Sequence, residues 1–244
     1  MLKIGKTILG EGPVKICVPV MAGNLEELKN LAAEAKASEP DLCEWRMDAY
    51  EDLSGDRLTE ALQELRDILG TIPVIATFRT AAEGGLKAIS DEYYIALSKR
   101  VISSGLCDAL DVEAFSRPRA AGEIIPFAKE KGIPVIGSNH DFTSTPIKEG
   151  ILSRLKAMKE AGADIPKGAY MPLGEKDVET VFEAGITFKR TNPDTPFILI
   201  SMGEKGQKTR IRAEEVGSVL TFASAGVSSA PGQISVAEMR AKLN

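Results

Sequence analysis

The sequence predicts an α/β fold in which a single (β/α)8 TIM barrel takes up the whole chain. About eight short apolar runs alternate with longer amphipathic stretches, a pattern typical of parallel strands covered by helices. The length of 244 residues is close to that of one such barrel. No Pro/Ser/Gly linker, long repeat or break in composition divides the chain, so we expect one domain over residues 1–244.

The predicted strands are the apolar runs at 14–20, 42–48, 74–78, 109–113, 135–139, 165–171, 197–202 and 219–223. They are short and largely apolar, as expected for parallel strands buried on both faces. An open doubly wound sheet is the alternative fold, and it normally carries a glycine-rich phosphate turn after an early strand. Gly10, Gly12, Gly84 and Gly85 form neither a GxGxxG nor a Walker pattern, which favours the barrel.

Helix signals lie between the predicted strands. Asn24 and Ser54 are N-cap residue types that precede the first two amphipathic stretches. The apolar residues at helical spacing there are Leu28, Leu31, Ala35, Leu58, Leu62, Leu65 and Leu69. Glycines suited to helix ends and prolines suited to strand starts follow at Gly70, Gly105, Gly132, Gly162, Pro73 and Pro134. Each helix should cover the outside of the sheet.

The composition argues against several classes of function. A formal net charge of −5 and a pI near 5.2 leave no basic excess for nucleic acid. The uncharged segment 216–237 is too polar for a membrane span, and the N-terminus lacks a signal-peptide pattern. Cys17, Cys43 and Cys107 show no CxxC spacing and are typical of reduced core residues. We expect a cytoplasmic protein with a small-molecule partner, no nucleic acid and no membrane.

Ionisable side chains stand at the ends of the predicted strands, where apolar residues would be expected. Glu44 and Arg46 end the second strand, and Arg79 follows the third. His140 follows the fifth strand, and the sixth contains Lys167. The C-terminal ends of barrel strands converge on one mouth, where active sites of this architecture lie. The sequence therefore predicts a polar site at this mouth.

Lys167 and His140 are the candidates for the chemistry. A lysine on this strand either extends to the rim or, deprived of water and placed near cations, becomes a neutral amine that attacks a carbonyl. His140 is the only histidine and a candidate general base or acid. One histidine, no HExxH and no clustered cysteines argue against a zinc site. Amine chemistry of this kind requires no metal or organic cofactor.

Three further acidic and basic residues have two interpretations each. Glu83 lies in a flexible loop after the third strand, where it is either a solvated carboxylate or the group that orients His140. Glu44 and Arg46 either form a structural ion pair or contact a substrate.

The last two strands are followed by candidate ligand-binding residues. Arg210 stands in a glycine-bearing loop, where it is either solvated or holds a carboxylate through two parallel hydrogen bonds. Ser229 and Gln233 offer a hydroxyl and an amide in a constrained turn. These groups suit a polyhydroxylated ligand.

Together these segments resemble the type I 3-dehydroquinate dehydratases of the shikimate pathway, over nearly the whole chain. The matching motifs are Glu44-Trp45-Arg46 with Asp48, Phe78-Arg79-Thr80 followed by Glu83-Gly84-Gly85, Ser138-Asn139-His140-Asp141-Phe142, Gly162-Ala163-Asp164-Ile165-Pro166-Lys167, Ser201-Met202-Gly203 and Ser229-Ala230-Pro231-Gly232-Gln233. The resemblance implies a hydro-lyase that converts 3-dehydroquinate to 3-dehydroshikimate by syn elimination of water through a lysine Schiff base. It also implies a homodimer without a cofactor.

The resemblance further implies a role for each residue. Lys167 would form the Schiff base, His140 would transfer protons, Glu83 would orient His140, and Arg210 would bind the substrate carboxylate. The residues that would contact or support the ring are Glu44, Arg46, Arg79, Met202, Ser229 and Gln233. Pro19 departs from the pattern, because some relatives have a substrate-contacting serine there, and we expect an altered affinity. The loop at 229–233 would be the lid.

Two other functions fit part of the pattern. A class I aldolase would also use a lysine on the sixth strand, but the final loops lack a clear phosphate site. A non-catalytic barrel that binds a small acid would explain Arg210, but it would not explain both Lys167 and His140 at strand ends. Product analysis distinguishes the first from a dehydratase, and binding without turnover would favour the second.

Overall fold

The architecture is a nearly closed barrel of eight parallel strands. The structure is a computed structural model that describes residues 1–226 and 234–243. An antiparallel hairpin of β1 (Leu2–Ile4) and β2 (Thr7–Leu9) precedes the barrel. The barrel strands are β3 (Lys15–Val20), β4 (Leu42–Arg46), β5 (Val74–Thr77), β6 (Ala109–Val112), β7 (Val135–Asp141), β8 (Ile165–Tyr170), β9 (Ile198–Ser201) and β10 (Leu220–Phe222). The predicted TIM barrel is confirmed, with one strand in each predicted run.

Helices alternate with these strands as the sequence predicts. They are α1 (Leu25–Ala37), α2 (Gly55–Leu69), α3 (Asp91–Ser104), α4 (Pro118–Glu130), α5 (Lys148–Glu160), α6 (Glu175–Thr191), α7 (Gln207–Ile211), α8 (Ala213–Val216) and α9 (Val236–Leu243), with a 3-10 turn at Ala81–Glu83. The Asn24 side chain accepts from Glu27 N at 3.0 Å and caps α1. Gly105 ends α3 with a φ of 67°, a conformation that favours glycine.

The seam between β9 and β10 completes the barrel. Val219 N donates to Phe197 O at 3.0 Å, and Leu199 N donates to Ser218 Oγ at 2.9 Å. A serine side chain thus takes over part of the hydrogen bonding that a continuous ladder would supply. The other neighbours are paired in parallel, from β10 through β3 to β9.

Two apolar clusters divide the core. One lies between the strands and the helices and includes Leu110 and Val112. The other fills the barrel interior near the N-terminal ends of the strands, where the hairpin contributes Ile4 and Leu9. Since side chains alternate along a strand, Asp111 points into the barrel between its two outward-facing neighbours. The polar part of the interior therefore lies toward the C-terminal ends.

The three cysteines are buried and unpaired, as predicted. Burial raises the pKa of the Cys43 thiol to about 12, so this side chain is a neutral core group. Along the parts of the chain that the structure describes, no helix is both long and apolar enough to cross a bilayer.

Candidate active site

Lys167 lies inside the barrel on β8 and is 4% exposed. Its Nζ is 3.1 Å from Asp111 Oδ2 and 3.5 Å from Glu44 Oε1. The Phe222 ring lies below the same nitrogen, with its centroid 4.6 Å away. We expected cations beside Lys167, and this expectation is wrong for its nearest neighbours. The charged groups within 4 Å of Nζ among the described residues are carboxylates.

Asp111 connects Lys167 to the rest of the site. Its Oδ1 accepts from Arg79 Nη2 and from Ser138 Oγ, both at 2.7 Å. Burial alone would raise the pKa of Asp111, but Arg79 and Lys167 outweigh it and hold that pKa well below its usual range. Asp111 is thus a permanent anion beside the amine.

His140 ends β7 next to Glu83. Glu83 Oε2 accepts from His140 N at 2.8 Å and lies 3.1 Å from His140 Nδ1. Burial, with Arg79 and Lys167 nearby, lowers the pKa of His140 well below 6.5, so the ring is neutral at neutral pH. A neutral ring that donates from Nδ1 to Glu83 keeps a lone pair on Nε2, as a general base requires.

Glu83 is a buried residue of the 3-10 turn, 2% exposed, which corrects the prediction of a flexible loop. Besides His140, its carboxylate accepts from Asn139 Nδ2 at 3.3 Å and from Ser116 Oγ. Burial raises the pKa of Glu83, while Arg79 and these donors oppose the rise. The solvated interpretation is excluded, and the orienting one fits the contacts.

Strand register places the two chemical groups side by side. Ser138 pairs with Lys167 across β7 and β8, and His140 pairs with Ala169. Positions two apart on a strand share a face, so the Lys167 and His140 side chains both enter the barrel. They line one cavity of about 100 Å³ at its mouth.

Most of the predicted site residues line this cavity. They are Glu44, Arg46, Arg79, Glu83, His140, Lys167, Met202 and Arg210, joined by Pro19, Gly84, Phe142, Ala169, Ile200 and Phe222. Ser229, Gln233 and the predicted lid at 229–233 lie outside the described residues.

Arg210 is a buried cation that forms no ion pair with any residue the structure describes. It lies in the short helix α7 and is 5% exposed, so the predicted loop position is wrong and the solvated interpretation is excluded. Its Nε has no hydrogen-bond partner within residues 1–226 and 234–243, and burial lowers the pKa of Arg210 to about 10. A guanidinium charged at neutral pH and left unpaired in a cavity is suited to an anionic ligand.

Comparison with known proteins identifies the family. A model of the type I 3-dehydroquinase family matches residues 16–244. The chain belongs to the type I 3-dehydroquinase family. A 3-dehydroquinate dehydratase from Syntrophotalea carbinolica is 42% identical over 244 residues, covering 100% of this chain and 96% of the relative. One from Clostridioides difficile is 43% identical with the same coverage.

Solved structures agree with this family and fold. A type I 3-dehydroquinate dehydratase from Clostridium difficile, crystallised with covalently modified comenic acid, has a TM-score of 0.95 and 43% identity, covering 100% of this chain and 96% of that one. The enzyme from Enterococcus faecalis has a TM-score of 0.92 and 36% identity, covering 100% and 98%. As a type I 3-dehydroquinase, the protein is a hydro-lyase with a small-molecule substrate.

In this type I 3-dehydroquinase, Glu44 and Arg46 have different ion-pair partners. Arg46 binds Asp48 through two hydrogen bonds of 2.8 Å, while Glu44 accepts from Thr77 Oγ1 at 2.9 Å and faces Lys167. Of the two interpretations of Glu44 and Arg46, the structural ion pair between them is therefore wrong, because Arg46 pairs with Asp48 and Glu44 faces Lys167.

Sequence reasoning missed two buried carboxylates of the dehydroquinase site. Asp111 and Glu113 are 2% and 0% exposed and pair with Arg79 at 2.7 and 3.1 Å. The signal was present, because two acids alternate with Leu110 and Val112 in a strand that should be apolar. Such alternation places both acids on the face that lines the barrel interior.

Proposed function

We propose that this protein removes water from 3-dehydroquinate to give 3-dehydroshikimate, by syn elimination through a Schiff base on Lys167. The observation that carries the proposal is a buried lysine and a neutral histidine on neighbouring strands, in a cavity that also holds an arginine without an ion-pair partner in the described part of the chain. An amine, a base and a carboxylate-binding cation are the groups that this elimination needs. The modified comenic acid in the Clostridium difficile relative supports covalent chemistry in this family.

Substrate binding is assigned first to Arg210, which would hold the carboxylate. Glu44 and Arg46 would contact ring hydroxyls from β4, and Met202 would pack beside the ring. Arg79 is already occupied by protein carboxylates and Ser138, so its contribution is to hold these groups in place. Ser229 and Gln233, proposed as further hydroxyl contacts, lie outside the described residues.

The reaction begins when the Lys167 amine adds to the C3 ketone. Loss of water gives an iminium, which accepts the electrons released when His140 removes the C2 proton. The resulting enamine expels the C1 hydroxyl, which takes a proton back from His140 and leaves as water. Hydrolysis of the second iminium releases 3-dehydroshikimate and restores Lys167. One residue serving as base and acid on one face of the ring explains the syn course.

Asp111 and Glu83 support this sequence electrostatically. Asp111, 3.1 Å from Nζ, is the counter-ion for each iminium. Glu83 keeps the His140 proton on Nδ1 and stabilises the imidazolium that forms. These steps require only these side chains and water.

The test is reductive trapping. The enzyme is mixed with 3-dehydroquinate and sodium borohydride, and the intact protein and its peptides are weighed by mass spectrometry. A ligand-sized adduct on the Lys167 peptide, absent in Lys167→Ala, is expected. An adduct in Lys167→Ala, or product formation without any adduct, would refute the Schiff base. Formation of no dehydroshikimate would refute the substrate assignment.

We also propose the wider setting that the resemblance implies: one catalytic domain over residues 1–244, a homodimer, and a cytoplasmic enzyme of the shikimate pathway that makes aromatic amino acids. Light scattering on the protein as it elutes from a size-exclusion column measures the mass of the assembly. The mass of a monomer would contradict the proposed homodimer. Growth without aromatic amino acids, in a host that lacks its own dehydroquinase, tests the pathway.

A further inference from the structure

We infer that Glu113 is a positioning residue for the proton transfers, because it anchors the turn that carries Glu83 and thereby fixes the ring of His140. The inference rests on the proposed role of His140 as the proton carrier. Glu113 contacts neither His140 nor Lys167 in the described hydrogen bonds, so it would act entirely through other groups.

Glu113 stands directly after β6, and its side chain is fully buried. Its Oε1 accepts from Thr80 N at 2.7 Å and from Arg79 Nη1 at 3.1 Å. Its Oε2 accepts from Thr80 Oγ1 at 2.8 Å, and Arg117 Nε lies 3.6 Å away. Burial of a carboxylate is costly unless donors surround it, so three short contacts to two successive residues define a specific anchor point.

Thr80 is the residue at which the turn begins. It is the N-cap of the 3-10 turn, and its carbonyl accepts from Glu83 N at 3.0 Å and Gly85 N at 2.8 Å. Glu113 therefore binds the main-chain N–H and the hydroxyl of Thr80, while the carbonyl of the same residue accepts from Glu83 N. A shift of Thr80 would move Glu83 with it.

Glu83 transmits this position to His140. One oxygen of Glu83 meets both the main-chain N and Nδ1 of His140, so the ring orientation depends on where the turn sits. A displacement of a catalytic group by about 1 Å can lower a rate by about 100-fold. If Glu113 served only as a counter-ion for Arg79, its two hydrogen bonds from Thr80 would have no function.

The single histidine of this chain makes the inference measurable. In protein labelled with ¹⁵N-histidine, the ring signals of His140 report its tautomer without interference. The wild type should show a proton on Nδ1. In Glu113→Gln we expect a mixture of tautomers and a kcat lowered about 10-fold to 100-fold, with KM changed less than about 3-fold. A wild-type tautomer with wild-type kcat would overturn the inference.

Thr80→Val is the second variant, and it tests the role of Glu113 if Glu113→Gln does not fold. It removes only the hydroxyl bond to Glu113 and keeps every charge, so a smaller loss of kcat and a partial tautomer change are expected. Unchanged kcat and tautomer in Thr80→Val would contradict the anchor.

Asp108→Asn is the matched control. Asp108 forms an ion pair with Arg66 at 2.5 Å and accepts from Val74 N at the N-terminal end of β5, away from the cavity. Its loss should lower the melting temperature and leave the His140 signals unchanged. His140→Ala separates the two proposals: retained turnover there refutes the proposed function, whereas lost turnover with an unaffected Glu113→Gln refutes this inference alone.

Discussion

Lys167 Nζ and Asp111 Oδ2 lie 3.1 Å apart, although their strands are not neighbours in the barrel. Strand β7 lies between β6 and β8, so the contact lies inside the barrel and passes over the inner face of β7. The amine is thereby held by a carboxylate that is itself anchored to Arg79 and Ser138. This contact gives the nucleophile a defined position before a substrate arrives.

Replacing Asp111 by Asn should lower kcat by at least about 10-fold, because each iminium loses its counter-ion. The free energy of unfolding should fall by about 3 kcal/mol, since Arg79 and Lys167 lose a buried anion. Steady-state kinetics and urea denaturation measure the two effects. Asp164→Asn is the control, because Asp164 accepts from Val135 N at the other end of the barrel. Equal kcat in both variants would contradict the role of Asp111.

Replacing Arg210 by Met should raise KM by about 10-fold to 100-fold, because the charge-assisted bonds to the carboxylate are lost. The free energy of unfolding without ligand should rise, since the buried guanidinium has no ion-pair partner among the described residues. Steady-state kinetics tests the rise in KM, and thermal denaturation of the same preparation tests the rise in stability. Arg212→Met, which alters an exposed arginine paired with Glu215, should leave KM unchanged. A destabilised Arg210→Met with normal KM would point to a structural role.

Stability should depend on pH through His140. Its folded pKa is lowered below 6.5 by burial and by Arg79 and Lys167, so below that pH the unfolded chain binds a proton that the folded ring resists. The free energy of unfolding should therefore decrease as the pH falls from about 6.5 toward the lowered pKa. Asp111 has a lowered pKa as well, but its contribution is lost only below the ordinary range of a carboxyl group.

His140→Asn should remove this part of the pH dependence. Denaturation curves at several pH values between about 5 and 7 would show a shallower slope in the variant than in the wild type. Parallel curves would mean that His140 titrates normally in the folded protein.

The N-terminal hairpin should contribute stability and no chemistry. Leu9 is fully buried in the cluster that closes the N-terminal end of the barrel. Leu9→Ala should cost about 2–5 kcal/mol of unfolding free energy through the cavity it leaves, with kcat unchanged below the melting transition. Ile8→Ala, at a residue of the same strand that is 40% exposed, should cost much less. A large loss of kcat in Leu9→Ala at low temperature would show that the hairpin affects the geometry of the active site.

The barrel was predictable because its signals are local and repeated. Apolar runs, Asn24 at an N-cap and Gly105 at a helix end each act within a few residues, and all recur in the structure. The hairpin was missed because its strands have 3 residues each, too short for a periodic pattern. Its contribution comes from Ile4 and Leu9, which are buried by strands distant in sequence.

The sequence by itself determined the fold class and the family, and it placed Lys167 on a barrel strand and His140 at the end of one, because residue type and order carry this information. Only the tertiary structure decided which charges meet: Asp111 rather than a cation beside Lys167, Asp48 rather than Glu44 beside Arg46, and a buried turn around Glu83. Partner choice depends on distances between strands that are far apart along the chain, and on burial, which turns a surface charge into one that must be paired. Neither quantity exists until the barrel has closed.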